Sequence, residues 1–231
     1  MTWYLQYYDC PPYLRKYFFP IYRYLPYAEL LNSLDSPHHL IVDVKSRFRE
    51  GVVLNKPVKS GKGSYVYIGL KKTALIGQEI KPGTRVTVQL DPDNSNEKHM
   101  RGKAVSRMTP LELENCYWGF SVRFAHDLNS VFSKCPFEGG YDVRIGISNK
   151  GENYEKVAFP TYRHLLIMFG GMNGLEECLE NDDTIVASEP KELFNYYINT
   201  CQSHGSRAIS TEENIFITLE ALKHKLFASE R

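Results

Sequence analysis

Hydrophobic and polar positions change rhythm twice along this chain, dividing it into residues 1–41, 42–127 and 128–231. The first stretch is crowded with aromatics, among them Trp3, Tyr7, Tyr13, Phe18, Phe19 and Tyr27, and is broken by Pro11, Pro12, Pro20 and Pro26. Proline removes a backbone donor and clashes with the preceding turn, so only short helices and extended pieces are predicted there, with most rings serving as packing groups. The second stretch reads as short strands at 48–54, 65–70, 73–76, 85–90, 102–106 and 117–124, of which Arg85-Val86-Thr87-Val88-Gln89-Leu90 alternates strictly. Glycine-containing turns at such short intervals predict a small antiparallel barrel. In the third stretch, 141–147 and 165–169 are short apolar runs of the kind found in buried parallel strands, with 183–186 and 194–198 as further candidates. The first two end in polar or glycine-rich loops, Ser148-Asn149-Lys150-Gly151 and Gly170-Gly171-Met172-Asn173-Gly174. Ser210 and Glu213 have the spacing of a capping box for a last helix, with Ile215, Leu219, Leu222 and Leu226 as its apolar stripe.

Charge alters this picture in one place. The net charge is only +1, yet residues 44–107 hold 14 Lys/Arg against 5 Asp/Glu, and the remainder 14 against 22. A polyanion-facing module beside a neutral-to-acidic one produces such a split, and so does a solvated lysine-rich face. On a barrel, Lys59, Lys62, Tyr65, Lys71, Lys72, Arg85, Arg101 and Lys103 are the side chains placed to hold a nucleic-acid backbone and stack bases. The five cysteines are odd in number and form no CxxC pair, which suits a reducing, intracellular compartment and argues against a disulfide framework or zinc. No run approaches the roughly 20 apolar residues of a membrane span, and the N-terminus lacks the pattern of a signal peptide. His38-His39 has no partner ligands at useful spacing, so no metal is expected. Gly61-Lys62-Gly63-Ser64 lacks the spacing of a phosphate loop, and Ser203, His204 and Ser206 lack a nucleophile elbow.

Ligands of open α/β sheets bind beyond the carboxyl ends of the strands. Here those ends carry glycines, small polar residues and a capped helix start, which permit close backbone approach to a ligand and equally suit tight turns. The run Phe169-Gly170-Gly171-Met172-Asn173-Gly174-Leu175-Glu176 resembles the second signature of SPOUT (α/β-knot) methyltransferases, and the run from Asn199-Thr200-Cys201 through Gly205-Ser206-Arg207-Ala208 to Glu213 resembles the third. Pro12-Tyr13-Leu14-Arg15-Lys16, Leu34-Asp35-Ser36-Pro37-His38-His39 and Phe48-Arg49-Glu50-Gly51-Val52 extend the likeness to SPOUT domain-containing RNA methyltransferases of eukaryotes and archaea over nearly the whole chain.

That resemblance implies an α/β SPOUT trefoil-knot fold with an inserted all-β, OB-like RNA-binding barrel at 42–127, residues 1–41 belonging to the first half of the knotted domain and 128–231 to its donor-binding end. It implies a homodimeric enzyme that uses S-adenosyl-L-methionine to methylate N3 of a uridine in large-subunit rRNA. It further implies a nuclear or cytoplasmic location, with spindle, kinetochore and centrosome association in animals. Carried over residue by residue, the donor meets Phe169, Gly170, Gly171, Gly174, Ile198, Asn199, Thr200, Gly205 and Ala208, with Arg163, Ser148 and Gly151 as secondary candidates. Arg207 is then the group to stabilise a uracil anion or clamp a phosphate, and Glu212 or Glu213 the group to take a proton, although Arg207 also suits a carboxylate partner and Glu213 a helix cap. Relatives of this kind have a further portion ahead of the segment matching Trp3 to Phe19, so the expected knotted fold is partial, lacking its first strands. The competing expectation is a non-catalytic RNA-binding or spindle-associated protein on the same fold, and donor binding separates the two.

Overall fold

A computed structural model of the chain describes every residue except 1, 21–24, 26, 31, 33, 59–62, 93–97, 172, 207 and 230–231, and leaves out the side chains of 29, 228 and 229. The chain forms two compact units, Met1–Phe124 and Ala125–Arg231.

The first unit contains α1 (Thr2–Asp9), α2 (Arg15–Phe18), β1 (Phe48–Val53), β2 (Ser64–Tyr67), β3 (Ala74–Ile76), β4 (Arg85–Leu90), β5 (Met100–Val105) and α3 (Thr109–Glu114). Its strands close into a barrel in the order β1-β2-β3-β5-β4. All neighbours are antiparallel except β3 and β5, which run parallel. The expected antiparallel barrel is corrected at that seam, because alternation reports which face is buried and carries no information on strand direction. The segment 117–124, read as a sixth strand, is irregular. Gly119 stands at φ +85°, and the Phe120 N–H donates to Asp9 Oδ1 at 2.9 Å instead of to a strand.

Val53, Val66, Ile68, Ala74, Ile76, Val88 and Leu90 fill the barrel. The aromatic N-terminal segment covers its outside: Cys10 and Leu14 pack on Val52 with Tyr13, Phe18 and Phe19 around them, and the Tyr13 hydroxyl donates to the Glu50 carbonyl at 2.9 Å. Trp3 and Tyr27 depart from the packing expectation, at 50% and 65% exposed. Beneath this cover lies a charged cluster. Glu50 is fully buried; its carboxylate accepts from Arg85 Nε at 2.6 Å and from the Trp118 indole N–H at 2.8 Å, with the Thr87 hydroxyl as a third donor. Arg85 also donates to Asp9 Oδ2 at 2.8 Å, and Arg107 Nη2 reaches both Asp9 oxygens at 3.0 Å. The polar face of β4 therefore points into an ion network, where a buried charge is retained because every carboxylate oxygen has a donor.

The second unit contains α4 (Leu128–Ser133), β6 (Val143–Asn153), β7 (Leu165–Phe169), α5 (Gly174–Glu180), β8 (Tyr196–Asn199) and α6 (Thr211–Ser229). β6 lies between β7 and β8 and runs parallel to both. Val143, Ile145, Ile147, Ile198 and Leu222 form the core, as continuous apolar runs in a parallel sheet require. Two expectations about the sheet are corrected. The run Ser148-Asn149-Lys150-Gly151, read as a loop, lies within β6, whose pairing with β8 shifts register between Ile147 and Glu152. Gly151 belongs there because a Cβ would strike the Ile198 backbone. The segment 183–186 is not a strand: the Asp182 carboxylate accepts from the Thr184 N–H at 2.9 Å in a turn, and Val186 is fully exposed. The capping box on α6 forms, Glu213 Oε2 accepting from the Ser210 N–H at 3.0 Å and Ser210 Oγ from the Glu213 N–H at 3.2 Å. Leu222 and Leu226 of the expected stripe pack on the sheet core and Ile215 is half-buried, but the stripe departs at Leu219. Leu219 is 47% exposed while Thr218 is buried, because its hydroxyl pairs with that of Thr200 at 2.6 Å. Among the described residues, no helix is long and apolar enough to cross a membrane.

Candidate functional site

Past the carboxyl ends of β7 and β8, the second unit holds a cavity of about 310 Å³. That size is within the range of small-molecule sites. Three chain passages supply its walls. The register shift of β6 contributes Ile147, Ser148, Asn149 and Lys150; the turn from β7 into α5 contributes Gly170, Gly171, Asn173, Gly174 and Glu176; the passage from β8 to α6 contributes Asn199, Cys201, His204, Ala208, Ile209 and Asn214.

Each turn is shaped by residues too small to fill it. A Cβ on Gly170 would strike the backbone of Gly174 and Leu175, so only glycine lets the chain fold back at the end of β7. Gly174 sits at φ +80°, a conformation that disfavours other residues. Gly171 is different: among the described residues beyond its chain neighbours, nothing lies within 4 Å of where its Cβ would stand, so its face is open. Hydrogen bonds tie the passages together. The Thr211 hydroxyl donates to the Gly170 carbonyl at 3.1 Å, Asn199 Nδ2 donates to the Asn149 carbonyl at 3.0 Å, and Asn199 Oδ1 accepts from the Cys201 N–H at 3.0 Å. An ion pair joins the first passage to the second, Lys150 Nζ to Glu176 Oε1 at 2.8 Å. Burial works against the Glu176 carboxylate, but Lys150 outweighs it and holds the group below the ordinary carboxylate range; Glu176 in turn holds Lys150 above the ordinary lysine range.

Of the residues expected to meet a donor, the structure brings Gly170, Gly171, Gly174, Asn199, Ala208 and Ser148 to this cavity. Phe169 and Ile198 lie behind it in the sheet core, and Thr200 is buried on Thr218. Gly205 is exposed in the same passage but not on the cavity wall, and Gly151 packs on β8. Arg163 is not brought there: it precedes β7, where its N–H and that of His164 donate to Asp142 Oδ2 at 2.8 Å, and the cavity opens past the other end of the strand. Glu213 is occupied as the helix cap, Glu212 is exposed in the first turn of α6, and Arg207 lies outside the described residues. Lys150, Asn173, Glu176, His204 and Asn214 were not among the candidates. The first three stand in the loops that drew attention, but amide and ionic side chains in a turn carry no mark distinguishing a wall from a surface.

The barrel residues divide similarly. Lys71, Lys72, Arg101 and Lys103 are exposed. Arg85 is committed to Glu50 and Asp9, and Tyr65 is 7% exposed, packed against His99 with ring centroids 4.8 Å apart, so neither presents itself for stacking or phosphate contact. Lys59 and Lys62 lie outside the described residues.

A family model described as "Putative RNA methyltransferase" matches residues 1–222. The chain belongs to this RNA methyltransferase family. It is 46% identical over 220 residues to a Mus musculus protein named "28S rRNA (uridine-N(3))-methyltransferase", covering 95% of this chain and 57% of that relative. A Homo sapiens protein of the same name is 46% identical over 220 residues, with 95% and 58% covered. One from Drosophila melanogaster is 45% identical over 224 residues, with 96% and 46% covered. The chain spans about half the length of these relatives. Membership of the methyltransferase family implies a methyl donor of the S-adenosylmethionine type. The cavity fits such a group: an open glycine face admits a flat ring close to the backbone, Asn149, Asn173 and Asn214 line it with amide groups, and an ion pair stands at its rim.

Proposed function

We propose that this protein transfers a methyl group from S-adenosyl-L-methionine to N3 of a uridine in large-subunit rRNA. The observation that carries this reading is the 45–46% identity, over 95–96% of the chain, to proteins named for that reaction. It is supported by the cavity at the carboxyl ends of β7 and β8, which gathers residues of both signature runs, Gly170, Gly171 and Gly174 from one and Asn199, Cys201 and Ala208 from the other. The donor supplies an activated methyl carbon, and in-line transfer asks the protein mainly for alignment. In this reading the glycine turn positions the adenosine side and the Asn199 passage closes over it. The uridine N3 proton leaves to a base or to water while a cation stabilises the developing anion. Arg207 is proposed for the anion and Glu212 for the proton, since Glu213 is engaged by Ser210.

The same proposal takes residues 128–231 as a trefoil knot, residues 1–41 as part of the same SPOUT domain, and the barrel at 42–127 as an OB-like RNA-binding insert. Parallel order β7-β6-β8 is compatible with the first, and the five-stranded closed order with the last. Exposed Lys71, Lys72, Arg101 and Lys103 support RNA docking on the barrel. A homodimer through the knot is proposed, and Phe216 and Phe227 of α6, 76% and 66% exposed, supply apolar surface in that region. A nuclear location follows from the substrate; spindle and kinetochore association rests on the family resemblance alone. Incubating the chain with ribosomal RNA and labelled donor, then digesting to nucleosides, tests the reaction. Labelled N3-methyluridine is the expected product, and label confined to another nucleoside, or none, would refute the proposal.

A further inference from the structure

The ion pair at the cavity wall is not explained by folding. An exposed pair contributes little stability because solvent screens it, and the Lys150 side chain is 69% exposed. Local chain geometry brings the two partners to the same rim. Lys150 lies in the register shift of β6, where its N–H donates to Ser148 Oγ at 3.2 Å. The Glu176 carboxylate folds back over Gly174, in space that a Cβ at that position would occupy. The pair thus presents one positive and one negative group, 2.8 Å apart, at the rim of the glycine turn. It also divides this cavity from a second of about 340 Å³, lined by Leu179, Ser188, Pro190 and Tyr197, because Lys150 and Glu176 line both.

We infer that Lys150 and Glu176 form a receptor for the amino-acid end of the methyl donor, Lys150 taking its α-carboxylate and Glu176 its α-ammonium. This rests on the proposed reading of the cavity as the donor site. A zwitterion inserted into an ion pair exchanges one contact for two of the same kind, with no change in net charge, so neither protein group is left uncompensated. The pair is exposed enough to open, and the space on the far side of it accommodates the inserted groups. The adenosine part remains with the glycine turn, so the two ends of the donor are read by different parts of the wall.

Calorimetric titration of the full chain with S-adenosylhomocysteine and with 5′-methylthioadenosine tests this, because the two share the adenosine and thioether and only the first carries the amino-acid end. The wild-type chain should bind S-adenosylhomocysteine about tenfold more tightly or better, about 1.4 kcal/mol. Lys150→Met and Glu176→Gln should each bring S-adenosylhomocysteine down towards the level of 5′-methylthioadenosine while leaving the affinity for 5′-methylthioadenosine unchanged, which also reports that each variant is folded. An undiminished preference in both variants, or no preference in the wild type, overturns the inference and leaves the donor site standing. Binding of neither compound by the wild type overturns the donor site and the inference together.

Discussion

Two buried acids, Glu50 and Asp9, show how single residues set conditions on this fold. Burial alone would raise both carboxyls, but Arg85, with Thr87 and Arg107, outweighs it at Glu50, and Arg85 with Arg107 does so at Asp9, so both stay below the ordinary carboxylate range. The unfolded chain then takes up protons before the folded one does. The stability these groups contribute is complete above the ordinary carboxylate value of about 4 and is lost as pH falls through their depressed native values. Buried His38, pushed below 6.5 by desolvation, acts in the same direction, since the folded state resists its protonation. Urea midpoints should therefore fall steadily from pH 7 to pH 3, and a flat profile would contradict the assignment. Glu50→Gln removes the charge facing Arg85 and should cost on the order of 3 kcal/mol in the same measurement at pH 7. A loss below about 0.5 kcal/mol would show that the cluster is solvated in the native state.

At the level of elements, the turn joining β7 to α5 separates structural from ligand-facing glycine. Gly170→Ala forces a Cβ against the Gly174 and Leu175 backbone and should destabilise the second unit by about 1–3 kcal/mol. Gly171→Arg faces open space and should leave the unfolding midpoint nearly unchanged while abolishing binding of S-adenosylhomocysteine. Unaltered donor affinity in the Gly171 variant would place the donor elsewhere. Much of this was legible from residue order. The glycine run after an apolar strand, the Ser210–Glu213 cap and the strands at 48–53, 85–90 and 165–169 carry local signals strong enough to read. The segments 117–124 and 183–186 have similar local composition but find no neighbouring ladder, and a strand exists only where a partner supplies its hydrogen bonds.

Over the whole molecule, the basic excess of residues 44–107 sorts into two populations. Arg49, Arg85 and Arg107 are spent inside the first unit, on backbone carbonyls or on Asp9 and Glu50. Lys71, Lys72, Arg101 and Lys103 face outward. Reversing these four charges should weaken RNA binding and reduce the slope of log K against log salt by about 0.7–0.9 per lost phosphate contact. An unchanged slope would remove the barrel from RNA binding, and the same change at Arg85 should unfold the unit instead.

Residue order alone determined the family, the alternation of strand-rich and α/β stretches, and the glycine turns where a ligand can approach, because each depends on neighbours in the chain. Tertiary structure decided which charges are buried, which seam of the barrel is parallel, and that Lys150, Glu176, Asn199 and Asn214 line one cavity. Those outcomes depend on distances between residues far apart in sequence, and a residue's composition and spacing hold no record of what will be packed beside it.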